Sequence, residues 1–193
     1  MQPVGDSRVE YPAPTLSDGI VRLRSWGLSD LECIEEASRD PVIPGGTSVP
    51  VPYSDAEGRA FIERCRAHLT NGTGLAQAIT DATCDRAVGQ LVLLFRHPPA
   101  GRHVAGVGYW VIESARRRGF ATRAVRLLVN WALQHTSIRR LEALAEPENV
   151  PSRRVLEAAG FQEEGVLRSY LGVDSDAVMY SVIPPIPADG NPL

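Results

Sequence analysis

Residues Ala115–Thr122 read ARRRGFAT, and the apolar-periodic run that follows them decides how this chain folds. Ala121, Val125, Leu128 and Ala132 recur at helical spacing, with Ala124 and Trp131 flanking them, and predict a helix from Gly119 to about His135. The first turn of a helix leaves backbone N–H groups without partners and presents partial positive charge. A Ser, Thr, Asp or Asn normally caps those donors, but none stands immediately before Gly119. Arg116, Arg117 and Arg118 stand there instead, with Arg123 and Arg126 further along. Gly119 removes a side chain where a ligand would approach the backbone. Open donors, a dipole end, a glycine and clustered arginines together describe an anion site, most simply one for phosphate. The plainer alternative is a solvated basic helix start, which carries an unfavourable charge–dipole cost of about 0.3–1 kcal/mol per arginine. The stretch is neither a Walker A loop nor a dinucleotide fingerprint, and Gly106 and Gly108 do not complete one.

The rest of the composition narrows the field. With 193 residues, 44% hydrophobic and 22% charged, the chain fits one globular domain with a sizeable core. A formal charge of −3 gives no general attraction to nucleic acid or to anionic membrane, so an anion site must come from local clustering. Cys33, Cys65 and Cys84 lie far apart without metal or disulfide spacing, which suits a reducing compartment, and no metal is expected. The opening residues lack the apolar run of a secretion signal, and no run reaches transmembrane length, so a cytoplasmic protein is expected. The four histidines, at 68, 97, 103 and 135, show no ligand spacing.

Pattern and punctuation predict the order β-α-α-β-β-β-α-β-α-β-β. Residues 1–15 read as a flexible N-terminal tail, 16–183 as a single domain, and 184–193 as a Pro-rich C-terminal tail. GIVRLRSW is the first strand, and LSDLECIEEASRD a helix with Ser29 as N-cap and Glu32 closing a capping box. A long Pro- and Gly-rich loop follows, then a helix over Asp55–Leu69 carrying Ala60, Phe61, Cys65 and Leu69 on its inner face. LAQAITD, AVGQLVLLF and HVAGVGYWVI are the next three strands, and IRRLEALAE the one after the arginine-led helix. NVPSRRVLEAAGF is a short helix capped by Asn149 and stopped by Gly160, and two closing strands form a hairpin. This is a mixed α/β domain with an antiparallel first half and strand–helix–strand crossovers later.

YWVIESARRRGFATRAVRLLVNWAL, followed by EPENVPSRRVLEAAGFQEEGVLR, resembles the acyl-CoA-binding core of the GCN5-related N-acetyltransferase (GNAT) superfamily, in the branch that acetylates ribosomal-protein N-termini (RimJ/RimL-type). Arg116, Gly119 and Ala121 match its signature [QR]-x-x-G-x-[GA], and Asn149-x-x-Ser152 lies at the expected distance downstream. The resemblance covers about residues 19–183 and is sharp over about 105–168. It implies a central, mostly antiparallel sheet flanked by helices and splayed between the fourth and fifth strands of the order above. It also implies acetyl-CoA as co-substrate, its pyrophosphate on the backbone amides of Arg117, Arg118, Gly119, Phe120, Ala121 and Thr122, with Arg116 and the neighbouring arginine side chains adding charge. The pantetheine arm then pairs with the strand end at Trp110 and Val111, a bulge near Gly106 and Gly108 opening the splay.

Asn149 reads structurally as an N-cap, and Ser152 as an ordinary first-turn residue. The resemblance adds a contact from Asn149 to the pantetheine arm and makes Ser152 the proton donor to the departing thiolate. A tyrosine that serves this role in other members falls at Leu156 here. A base must take a proton from the attacking amine, and Glu146 is the first candidate, ahead of Glu113 and Glu35. The implied activity is acyl transfer to a primary amine of a small molecule or a protein N-terminus, by a monomer or homodimer without nucleic-acid or membrane partners. A non-catalytic acyl-CoA binder is the alternative, with a basic-patch nucleic-acid binder behind it. The loop RDPVIPGGTSVPVPYSD and the last hairpin are expected to form the acceptor site, whose substrate stays open, as does a larger acyl group.

Overall fold

A computed structural model describes residues 15–97 and 101–184, so the two expected tails lie almost wholly outside the described residues. Eight strands form one sheet: β1 (Leu16–Ser17), β2 (Val21–Arg24), β3 (Gly74–Asp81), β4 (Ala87–His97), β5 (Gly101–Val111), β6 (Arg140–Ala145), β7 (Gln162–Gly172) and β8 (Ser175–Val182). Four helices accompany them: α1 (Leu31–Arg39), α2 (Asp55–Thr70), α3 (Phe120–His135) and α4 (Val150–Ala158). The strand order is β1-β2-β3-β4-β5-β6-β8-β7, with every pairing antiparallel except β5–β6. The two-residue β1 escaped the sequence reading, so the expected splay between the fourth and fifth strands falls here between β5 and β6.

Adjacent residues of β5 reveal the layers. Trp110 packs against Trp26 with ring centroids 6.0 Å apart, and its indole N–H donates to Gln90 Oε1, whose amide in turn reaches Cys65 of α2. Tyr109, one residue earlier, reaches Ser152 of α4. Successive side chains of a strand point to opposite faces, so α2 and α4 cover opposite faces of the sheet. β6 alternates, with Leu141, Ala143 and Ala145 buried. On β2, Val21 and Leu23 are buried, while Ile20 just before it is exposed.

Helix starts follow local chemistry. Ser54 Oγ accepts from the Glu57 amide at the head of α2, and Asn149 Oδ1 from the Ser152 amide at the head of α4. The expected cap at Ser29 does not form. A 3₁₀ turn over Leu28–Asp30 precedes α1, and buried Asp30 accepts from the Gly27 amide and from both terminal nitrogens of Arg24, at 2.7 and 2.9 Å. A buried carboxylate needs such a partner, and the bidentate arginine draws Asp30 inward.

β5 and β6 are joined by three residue pairs only, Val104–Arg140, Ala105–Leu141 and Gly106–Glu142. Beyond them β5 stays with β4 as far as Val111, and β6 stays with β8 as far as Ala145. The expected bulge at Gly106 and Gly108 is not there: the β4–β5 register runs unbroken from Phe95–Ala105 to Gly89–Val111, and its one shift lies between Phe95 and His97. The gap opens because each strand follows its outer neighbour. Gly89 holds the end of β5 close, since a Cβ there would lie 2.1 Å from the Trp110 carbonyl oxygen. Gly89→Ala is expected to destabilise the fold by about 1–3 kcal/mol, read as a lower urea midpoint at unchanged m-value.

Candidate active site

The gap between the ends of β5 and β6 is bordered by the turn into α3 on one side and by the head of α4 on the other. A 3₁₀ turn over Glu113–Ala115 leads into the arginine run, where the backbone takes two positive φ angles, +61° at Arg117 and +80° at Gly119. Gly119 is the N-cap residue of α3, no side chain caps the helix, and a Cβ at Gly119 would meet nothing within 4 Å. Among the described residues, no oxygen accepts from the amides of residues 117–122, whereas the Arg116 amide reaches Glu113 and the Arg123 amide reaches Gly119. Two left-handed residues in three, directly before the first turn of α3, set the open amides of this turn beside the positive end of the helix, a setting suited to an anion. Phe120 is buried and anchors the turn, while Ala121 and Thr122 are half-buried in the first helical turn.

Most of the arginine side chains have protein partners. Arg116 donates through Nε to the Val111 carbonyl at 3.0 Å and through Nη2 to Asp40 at 2.5 Å. Arg118 pairs with Asp81 at 3.2 Å and lies over the Phe120 ring, 4.8 Å from its centroid. Arg123 pairs with Asp18, and Arg126 donates to the Ala158 carbonyl at the end of α4. Only Arg117 of the five makes no polar contact among the described residues. Carboxylates from distant segments neutralise the positive charge that the sequence set at a positive helix end, which leaves the backbone amides as the open groups.

Asp40 reaches further into the chain. Its carboxylate accepts from the amides of Val42 and Ile43, at 2.8 and 3.1 Å, and so fixes the start of the Pro- and Gly-rich loop. Burial opposes its charge, but those amides and Arg116 outweigh burial and hold the carboxyl below its ordinary range. One guanidinium thus joins the end of β5, the turn into α3 and the loop expected to line the acceptor side. Nothing in the spacing of Asp40 and Arg116 signalled this contact.

Backbone direction decides which strand residues face the gap. The Ile112 amide donates to the Val88 carbonyl on β4 at 3.0 Å, and the unbroken register turns Trp110 the same way. With its indole also in the core, Trp110 has no group toward the gap. Tyr109 and Val111 do, and the Val111 carbonyl is already held by Arg116. Trp110, expected to line the gap, faces β4 and the core instead, because strand alternation sends every second residue to the other side.

Across the gap, Ser152 is half-buried, with its amide on Asn149 Oδ1 at 3.1 Å. Tyr109 Oη lies 2.9 Å from both the carbonyl oxygen and Oγ of Ser152. Burial pushes the Tyr109 hydroxyl up to about 12, so it keeps its proton at neutral pH. Tyr109 was missed in the sequence; its place beside Trp110 was the available signal. Glu146 is exposed at the end of β6, its carbonyl accepting from the Asn149 amide. Glu113 is exposed in the 3₁₀ turn, and Glu35 is ion-paired with Arg39 one helical turn along α1. No carboxylate touches Ser152 among the described residues, and those residues hold no cluster of potential metal ligands.

Comparison with known proteins meets this geometry. Residues 21–162 match the family model of an acetyltransferase (GNAT) domain. The uncharacterized N-acetyltransferase p20 of Bacillus licheniformis is 28% identical over 173 residues, 88% of this chain and 96% of that protein. YjcK of Bacillus subtilis (strain 168) is 36% identical over 137 residues, 69% of this chain and 75% of that protein. Among solved structures, Mycobacterium smegmatis RimJ in complex with CoA-disulfide superposes with a TM-score of 0.73 at 28% identity, covering 93% of this chain and 88% of that one. The chain belongs to the GNAT acetyltransferase family and is an acyl-CoA-dependent N-acetyltransferase.

Proposed function

We propose that this enzyme transfers an acetyl group from acetyl-CoA to the primary amine of a small molecule or a protein N-terminus, by direct attack in a ternary complex. The observation that carries this reading is the run of amides at residues 117–122, without acceptors among the described residues, at the edge of the gap between β5 and β6. A pyrophosphate is the anion that fits so extended a row of donors, and Gly119 leaves the approach clear. The backbone of Tyr109 and the Val111 amide offer the pantetheine arm a strand edge beyond the last β5–β6 pair, as an added strand would find, while Arg116 holds the Val111 carbonyl. Asn149, while capping α4, faces the same arm.

Bound acetyl-CoA supplies the activated acyl group and a thiolate leaving group. The residues of this chain handle its charges and protons. A backbone N–H in the gap, Val111 foremost, stabilises charge growing on the carbonyl oxygen. Ser152 gives a proton to the sulfur as the C–S pair departs. The amine attacks as a neutral base, so its proton must leave, and Glu146, open to water, takes it through solvent. The resemblance of this chain to the RimJ/RimL branch lends weight to a protein N-terminal amine as acceptor. The setting we assign is the cytoplasm, with which the free thiols of Cys33, Cys65 and Cys84 agree, and the active species a monomer or homodimer.

Thiol release from acetyl-CoA, against a panel of peptides with free N-termini, amino acids, small amines and amino sugars, tests the reading; no release with any amine would leave a binding protein instead. Ser152→Ala should lower kcat about a hundredfold with little change in the KM for acetyl-CoA, and full turnover with chemistry rate-limiting removes Ser152 from the acid role. Gly119→Asp separates binding from folding. A carboxylate at the helix head favours the dipole by about 0.3–1 kcal/mol, and the left-handed backbone costs a side chain about 1–2 kcal/mol. The melting temperature should therefore fall by only a few degrees, about 2–4 °C per kcal/mol at this chain length. Repulsion of the pyrophosphate should meanwhile raise the KM for acetyl-CoA by about tenfold or more.

A further inference from the structure

Tyr109 spans the gap: it stands on β5, yet its hydroxyl lies against α4, 2.9 Å from both oxygens of Ser152. A phenol has one proton to donate. If that proton goes to the Ser152 carbonyl, the serine hydroxyl gives its own proton to Tyr109 Oη, and none is left for a ligand. If it goes to Ser152 Oγ, the serine proton is free to point into the gap. The same residue is half-buried and stays protonated at neutral pH, so the choice between the two arrangements is one of hydrogen-bond direction and not of ionisation.

We propose that Tyr109 is the positioning residue for Ser152, donating its phenolic hydrogen to Ser152 Oγ when negative charge develops on sulfur in the gap and so turning the serine proton toward it. This rests on the acid role of Ser152 and adds to it a residue from the opposite wall. The arrangement follows from the fold. The strand alternation that buries Trp110 against Trp26 sends Tyr109 to the face covered by α4, and Asn149 holds the Ser152 amide so that the hydroxyl keeps its place. As Ser152 gives up its proton, the phenolic hydrogen bond stabilises the oxygen left behind, and donors fixed in advance need no rearrangement in the transition state.

Tyr109→Phe removes one hydroxyl and keeps the ring. Measured as thiol release from acetyl-CoA, to the best acceptor or to water, it should lower kcat about tenfold and leave the KM for acetyl-CoA within about twofold. In a Ser152→Ala background the same change should have no further effect, since a residue acting only through Ser152 has nothing left to position. Ser152→Cys supplies a more acidic proton, and its activity should be insensitive to Tyr109→Phe. Unchanged kcat in Tyr109→Phe, a lowered melting temperature without a kcat effect, or losses that multiply in the double variant would each overturn the positioning role. Ser152→Ala with full turnover would instead overturn the acid role itself, and the proposal with it.

Discussion

The short parallel ladder between β5 and β6 is the constraint on which the site depends. Backbone N–H and C=O groups away from water must find partners, and in this sheet nearly all do so through neighbouring strands. β5 and β6 satisfy one another over three residue pairs and then part, because each is tied along its length to a different outer neighbour. That parting leaves strand edge within the sheet and not only at its margins. Arg116 takes one of the freed carbonyls, at Val111, and Tyr109 bridges to α4 near the other wall. The site is made from backbone that the sheet declines to pair.

Charge in the turn follows a related logic. Arginines beside a positive helix end would destabilise it if left alone, and four of the five have protein partners. Asp18, Asp81 and Asp40 come from segments far apart in sequence, so the neutralisation is a product of the fold. Most of these pairs are partly exposed and individually worth little to stability. Their effect is on direction: they engage the guanidinium groups and leave the amides of residues 117–122 without an acceptor among the described residues. Asp40 is the exception in burial, and it links the donor turn to the loop after α1.

Much of the domain was legible in the sequence. Helical periodicity placed α2 and α3 to within a residue at each end, and Asn149 and Gly160 marked the ends of α4, because capping and hydrophobic spacing act within a few residues. The Ser29 cap failed because Asp30, drawn inward by Arg24, moved the helix start; a contact with another strand outweighed a local propensity. The bulge expected at Gly106 and Gly108 failed for a similar reason. Glycine permits an irregularity, but the divergence of whole strands removed the need for one.

The site divides along the same line. ARRRGFAT by itself determined an uncapped helix start with a glycine at its head, and with Asn149 and Ser152 it pointed to a coenzyme A ester. Those features are local, and local chemistry is written in local residues. Which groups face the gap between β5 and β6 was decided only by the tertiary structure. Trp110 turned into the core, Tyr109 crossed to Ser152, and Asp40 claimed Arg116, since strand alternation, sheet order and long-range ion pairs exist only once distant segments have met.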